Sequence, residues 1–371
     1  MKILFSGGGT AGHINPAIAI AKYIRNIYPD WEICFVGIEL GMEKKLVPKE
    51  GFDIRYIEVK GFQRRFSLDT LLTVKTLFKG MHQARKILRE YKPDIVVGTG
   101  GYVSGPVSMN AALMKIPTII HEQNTFPGVT TKILSRFVDV VALSFKESKQ
   151  YFKMKDKIVL TGNPIKKEIL TIDKQLARKI LKLDQRPFIL IFGGSLGAEK
   201  INQTLIEYIA HIYQKEEVQL LAATGERQYA EIMDRLGQKQ IQLDKYPNIK
   251  ILPYIYNMNE ALVAADLVVC RAGAITLSEI SAVGKPAILI PSPNVTNNHQ
   301  EHNARTLEKA GAAVVLTENN LNGNILHNQI NTLLKDKQLL NKMAAHSLKM
   351  GITNATEKIV EIIKARGTKS M

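Results

Sequence analysis

Lys2-Ile3-Leu4-Phe5-Ser6-Gly7-Gly8-Gly9-Thr10-Ala11-Gly12-His13-Ile14-Asn15-Pro16 is an apolar strand that runs through a glycine turn straight onto a helix. Glycines let backbone N–H groups approach an oxyanion or a sugar closely, and a helix N-terminus adds partial positive charge. His13 stands where that helix starts, and imidazole exchanges protons near pH 7. The segment points to nucleotide or phosphate chemistry. The second half of the chain echoes it: Phe188-Ile189-Leu190-Ile191-Phe192-Gly193-Gly194-Ser195-Leu196-Gly197-Ala198 is again a strand ending in a glycine loop before a helix.

Working outward, apolar runs alternate with helical patterns along both halves. Ile3–Ser6, Ile33–Gly37, Ile54–Val59, Ile95–Val97, Thr118–His121 and Val138–Leu143 read as strands, with helices over Pro16–Tyr28 and Leu68–Tyr91. Phe188–Phe192, Gln219–Thr224, Ile249–Leu252, Leu267–Cys270 and Ala287–Ile290 repeat the pattern. Alternation of this kind predicts an α/β chain with two doubly wound parallel sheets. A length of 371 residues suits two domains of roughly 150–200 residues each. The seam is expected at Asn163-Pro164, giving domains 1–164 and 165–345, with a charged helical linker over Lys166–Asp184. Two such sheets present a cleft at the carboxyl ends of their strands, where ligands of open α/β sheets bind.

Composition narrows the class. No run reaches the ~18 uninterrupted apolar residues of a membrane span, and the N-terminus passes from Lys2 into glycines without a signal-peptide core. The two cysteines, Cys34 and Cys270, have no partner at metal-ligand spacing and fit buried thiols in a reducing cytoplasm. The net charge of +16 calls for an anionic partner. The basic excess is densest over residues 55–92, and aromatic-interleaved RNA signatures are absent, so an anionic membrane surface is expected rather than nucleic acid. Within it, Phe62, Arg64, Arg65, Phe66, Lys75 and Lys79 mix apolar and basic side chains as interfacial attachment requires, although an ordinary amphipathic core helix would show the same mixture.

The motifs exclude some chemistries. Gly7-x-Gly9-x-x-Gly12 formally matches a dinucleotide fingerprint, but Glu39 lies too far along to be its acidic residue, and His13 is foreign to it. No Gly-Lys-Ser/Thr follows either glycine loop, so a nucleoside triphosphatase loop is excluded. His299 and His302 lack an apparent third metal ligand, and no Asp-x-Asp occurs to bridge a metal to a pyrophosphate. Ser195 places a hydroxyl beside a helix start, suited to a phosphate oxygen. Cys270-Arg271-Ala272-Gly273-Ala274-Ile275-Thr276-Leu277-Ser278-Glu279 forms a third strand-turn-helix whose glycine admits a pyrophosphate and whose Glu279 is placed to accept ribose hydroxyls. Gln300 both donates and accepts, as sugar recognition requires. Thr99–Pro106 and His121–Asn124 add polar clusters at consecutive strand ends.

Taken in order, Gly8–His13, Gly100–Pro106, His121-Glu122-Gln123-Asn124, Thr161-Gly162-Asn163-Pro164, Gly193–Ala198, Arg271–Glu279 and Gln300–Ala304 resemble the MurG family of glycosyltransferases over essentially the whole chain. The resemblance implies a GT-B fold, two Rossmann-like domains with an interdomain cleft. It implies transfer of N-acetylglucosamine (GlcNAc) from UDP-GlcNAc to O4 of the muramyl sugar of undecaprenyl-pyrophosphoryl-MurNAc-pentapeptide, at the cytoplasmic face of the cell membrane, with no cofactor and with other cell-wall enzymes as potential partners. His13 is then the catalytic base. The donor falls to Ser195 (diphosphate), Ile255 (uracil, through its backbone), Ala274, Ile275, Thr276, Leu277 and Ser278 (backbone N–H groups), Glu279 (ribose) and Gln300 (sugar). Thr10, Ala11, Gly12 and Asn124 would close over that sugar, and Gly100, Gly101, Tyr102 and Ser104 would face the acceptor pyrophosphate. Two residues depart from the family pattern: Lys166 stands where many members have arginine, losing bidentate geometry, and Ala11 replaces a common glycine. The C-terminal helix near 355–365 is expected to pack on the first domain. A diacylglycerol glycosyltransferase, a UDP-GlcNAc 2-epimerase or a non-catalytic nucleotide-sugar-binding protein would share much of this pattern.

Overall fold

The computed structural model describes residues 1–60 and 68–368, with only the helical backbone over 68–74. The chain forms two compact units, Met1–Ile165 with Ile352–Met371, and Lys166–Gly351. The strands of the first are β1 (Lys2–Gly7), β2 (Glu32–Gly37), β3 (Asp53–Tyr56), β4 (Ile95–Gly100), β5 (Thr118–Glu122), β6 (Val140–Leu143) and β7 (Ile158–Leu160). They make a seven-stranded sheet ordered β3-β2-β1-β4-β5-β6-β7, parallel throughout. The order reverses between β1 and β4, and the ends of those two strands are the switch point at which ligands of such sheets bind.

Strand β1 shows why both faces are covered. Ile3 and Phe5 point to one side, into a cluster with Ile14, Ile20, Phe35 and Ile95. Leu4 points to the other, among Cys34, Val36, Val96 and Val107. Successive strand side chains alternate faces, so a strand apolar at every position needs helices on both. The C-terminal helix, Ala355–Gly367, supplies Ile359, Val360 and Ile363 to the first cluster, so the end of the chain belongs to the first core.

The second unit holds β8 (Phe188–Phe192), β9 (Gln219–Ala223), β10 (Ile249–Leu252), β11 (Leu267–Cys270), β12 (Ala287–Leu289) and β13 (Ala313–Val315). Its sheet is ordered β10-β9-β8-β11-β12-β13 and is also parallel. The two doubly wound parallel sheets expected from the alternation are present. The segment read as a helical linker is shorter in helix and is anchored: a 3-10 turn at Lys167–Leu170 precedes a helix at Lys174–Ile180. Asp173 caps that helix by accepting from the Gln175 and Leu176 N–H groups at 2.9 Å. Asp266 then binds Lys174 and Arg178, tying the helix to the start of β11. Cys34 and Cys270 are buried and unpaired.

Candidate active site

In the first unit the glycine turn after β1 leads into the helix Ala11–Ile27, capped at Thr10 without a side-chain hydrogen bond and with no acidic residue in its first turn. The glycines meet protein as well as open space. A Cβ on Gly101, which has φ +77°, would lie 2.2 Å from the Gly8 carbonyl oxygen; one on Gly7 would lie 2.1 Å from Thr99 Oγ1. The loops after β1 and β4 therefore touch backbone to backbone, and the Gly8 N–H donates to Gly100 O at 3.4 Å. Gly12 is different: the nearest atom to its Cβ would be Thr10 Oγ1 at 3.7 Å, leaving its surface open.

His13 lies against Gly100, whose Cβ would fall 2.6 Å from His13 Nδ1. Thr99 Oγ1 donates to the His13 carbonyl at 2.7 Å, holding the start of the helix to β4. His13 Nδ1 is 3.1 Å from Gln123 Oε1. Behind it, Gln123 Nε2 reaches Thr99 O at 2.7 Å and His121 Nδ1 at 3.0 Å. His121, Glu122 and Gln123 are all buried. Burial pulls the His121 pKa down to about 4, so its ring is neutral. Glu122 is spent on loop geometry, accepting from the N–H groups of Asn124 at 3.1 Å and Gly128 at 3.0 Å. That carboxylate sets the position of Asn124.

The Gly100–Pro106 stretch is the opening of a helix, Gly101–Leu113, rather than a loop. Tyr102 packs its ring on Gly9, and its phenol pKa is raised by burial and by the charge of Glu43. Ser104 is buried, 3.4 Å from Ser108 Oγ, so its hydroxyl points into the unit. Glu43 escaped notice in the sequence. Its buried carboxylate accepts from the Ile38 N–H at 3.0 Å and the Gly9 N–H at 3.3 Å, tying the glycine turn to the end of β2. The signal was Gly37 and Gly41, where an added Cβ would strike the Glu43 side chain.

The second unit repeats the device. Gly197, at φ +77°, would put a Cβ 2.0 Å from Thr224 O, and the Gly197 N–H closes a turn onto Gly194 O at 3.0 Å. Ser195 is exposed on that turn, before the helix Glu199–Ile212. After β11 comes the helix Ala274–Ala282, capped at Gly273 with no acidic residue in its first turn. Arg271 does not face this end: it pairs with Glu318 and donates to Ile290 O at 3.1 Å. Asn303 braces the turn by donating to Ala272 O at 3.2 Å. Ile275 and Thr276 are half-buried on the first turn, while Leu277 is fully buried with its N–H bonded to Gly273 O at 2.9 Å. Ser278 donates to Ala274 O at 3.0 Å.

Glu279 has a pKa pushed up to about 7 by burial, against the opposing pull of the Lys166 ammonium. Burial makes this carboxyl group costly to ionise. Gln300, in the first turn of the helix His299–Lys309, accepts from the Ser292 N–H through its Oε1 at 3.0 Å, so its N–H₂ remains the donor side of the amide. Ile255 is buried after β10, between the exposed Tyr254 and Tyr256. All these groups of the second unit lie in the segments that follow β8, β10, β11 and β12.

Of the basic-apolar cluster, Phe62, Arg64, Arg65 and Phe66 lie outside the described residues. Lys75 is exposed, and Lys79 is exposed but paired with Glu58 at 2.7 Å. A second apolar group was missed: Val129 and Ile133 on the helix Val129–Leu134 and Phe137 in the turn after it are each about half exposed or more, beside Lys132 and Arg136, and Phe78 and Leu113 are exposed elsewhere in the first unit. Among the described residues no helix is long and apolar enough to cross a membrane.

Comparison with known proteins bears on the family of the chain. Residues 3–143 match the glycosyltransferase family 28 N-terminal domain, and residues 188–362 the glycosyltransferase family 28 C-terminal domain. The chain is 58% identical to the UDP-N-acetylglucosamine--N-acetylmuramyl-(pentapeptide) pyrophosphoryl-undecaprenol N-acetylglucosamine transferase of Acetivibrio thermocellus, covering 98% of each chain. It is 51% identical to the enzyme of the same name from a Thermoanaerobacter species, covering 98% of this chain and all of the relative. A crystal structure of Acinetobacter baumannii MurG superposes with a TM-score of 0.78 at 30% identity, over 98% of this chain and 99% of that one.

Proposed function

Since the chain belongs to the MurG family within glycosyltransferase family 28, with the GT-B fold, we propose that it transfers GlcNAc from UDP-GlcNAc to O4 of MurNAc in undecaprenyl-pyrophosphoryl-MurNAc-pentapeptide, by one in-line displacement with His13 as base. The observation that carries the mechanism is the contact of His13 Nδ1 with Gln123 at 3.1 Å, which anchors the imidazole at the mouth of the first glycine turn. The base takes the proton of the acceptor O4-hydroxyl as that oxygen attacks C1 of the donor and the C1–O bond to UDP breaks. Negative charge grows on the departing diphosphate, and the helix N-terminus at Gly273 with Ser195 is arranged to receive it. In the second unit Glu279 holds the ribose, Ile255 the uracil and Gln300 the sugar; in the first unit Asn124 and the Thr10–Gly12 turn are the residues the resemblance assigns to the donor. Lys166 supplies a charge beside Glu279.

The acceptor lies along Gly100, Gly101 and Tyr102, with Ser104 contributing backbone only, since its hydroxyl is buried. The exposed group Val129, Ile133 and Phe137, with Lys132, Arg136 and Lys75, supports attachment to an anionic membrane surface, where a polyprenyl acceptor resides. The reading is tested by the anomeric configuration of the product. An α-linked donor must give a β-linked disaccharide, seen as a large proton coupling at the new anomeric centre; an α-linked product would refute single displacement.

A further inference from the structure

His121 and Thr161-Gly162-Asn163-Pro164 have no part in the mechanism as described, yet both converge on its base. The neutral His121 ring has its Nε2 3.0 Å from the Gly162 carbonyl, an acceptor only, so Nε2 carries the proton. Ser144 Oγ, 3.1 Å from the same nitrogen, has its own proton engaged by Glu122 O and Asn163 Oδ1, each at 2.8 Å. His121 Nδ1 is therefore a lone pair, and the group 3.0 Å away must donate to it. That fixes the Gln123 amide with nitrogen toward His121, and its second N–H goes to the Thr99 carbonyl at 2.7 Å. The amide oxygen is left facing His13 Nδ1 at 3.1 Å, and it can only accept. Asn163 completes the clamp by donating to the Gln123 carbonyl at 3.2 Å.

We propose that Gln123 is a positioning residue that locks His13 in the Nδ1–H tautomer, leaving Nε2 as the lone pair that takes the acceptor proton. The inference rests on the reading of His13 as the base, but its tautomer can be read without turnover. The chain of reference runs from a backbone carbonyl through His121 and Gln123 to His13, so a buried ring sets the state of the reacting one. Without it, neutral imidazole divides between tautomers, and the wrong one places an N–H where the base must accept. Where an orienting partner of a catalytic histidine is lost in this way, rates fall by up to about 10⁴-fold.

The test is the ¹⁵N spectrum of histidine-labelled full-length protein at a pH where His13 is neutral, with His13 assigned among the eight histidines by its loss in His13→Ala. The wild type should show a protonated Nδ1 and an unprotonated Nε2. Gln123→Met, close in size, with no donor for His121 and only a weak acceptor for His13, should shift His13 toward Nε2–H and lower kcat by about tenfold or more with KM for UDP-GlcNAc little changed. His121, Glu122, Glu43 and Tyr102 face this end of the sheet and are retained in that variant, so the effect belongs to the amide. A wild-type His13 already in the Nε2–H form would overturn the proposal whether or not the variant folds. So would a variant that folds with kcat unchanged. Loss of transfer in the wild type itself would instead count against the reaction, leaving the tautomer result to stand or fall separately.

Discussion

At the scale of single residues, two titratable groups carry the account, and they differ in how the protein treats them. The His13 ring is held by its hydrogen bond to Gln123 and by packing on Gly100. Replacing it by alanine should lower kcat by about 10²–10⁴-fold, the usual share of a general base. UDP-GlcNAc affinity in calorimetry should hardly change; a large loss there would make His13 a binding residue. Glu279 is the opposite case, raised from 4.5 to about 7 by burial. The folded chain keeps a proton that an unfolded glutamate releases, so ligand-free stability falls as pH rises through that window. A ribose that donates two hydrogen bonds favours the carboxylate, so donor binding expels the proton. UDP-GlcNAc affinity should therefore rise with pH up to about 7 and flatten above it, and Glu279→Gln should bind weakly with no such dependence. A wild-type affinity flat from pH 5.5 to 8 would contradict the assignment. His13 and Glu279 stand out in the sequence because each follows a glycine-marked helix start, His13 in the first turn and Glu279 just past it. Gln123 and Glu43 as organisers were not, because their roles come from contacts across the sheet, between segments far apart in sequence.

At the scale of elements, the strand–glycine–helix unit does two jobs that sequence alone does not separate. Some of its glycines meet protein and some face open space. Gly101→Ala forces a methyl into the Gly8 carbonyl at positive φ, and should cost about 1–3 kcal/mol of stability by overpacking. Gly12→Ala meets nothing closer than 3.7 Å and should leave the thermal midpoint within the scatter of surface substitutions, about 0.5 kcal/mol. Any loss of activity in Gly12→Ala then reports on the ligand space. Equal destabilisation by the two would remove the distinction. Long elements such as Leu68–Tyr91 were legible from their periodicity. The three-residue strands β7 and β13 escaped, since such runs carry no period and are defined by the neighbour they pair with. The helix at Gly101–Leu113 was hidden by Gly101, Gly105 and Pro106, which are poor helix formers; the tertiary packing on Gly8 and Gly9 overrides their propensity.

At the scale of the whole molecule, a net charge of +16 and the exposed apolar side chains of Val129, Ile133 and Phe137 belong to one argument. Arginines and lysines near an anionic surface contribute about 1 kcal/mol each, and apolar side chains add burial. Ile133→Ser, Phe137→Ser and Arg136→Glu together should release the protein from vesicles containing anionic lipid, while transfer to a short-chain soluble acceptor persists. Undiminished co-sedimentation would contradict the proposed attachment through these side chains. The two sheets were legible in outline because both are parallel and their strands read as continuous apolar runs. The central claim is the reaction and its base. It is met most directly by following radiolabelled GlcNAc from UDP-GlcNAc to a short-chain analogue of the muramyl lipid, with EDTA present and His13→Ala alongside. The account predicts transfer that survives chelation and collapses in the variant. Transfer abolished by EDTA, or undiminished in His13→Ala, would contradict it.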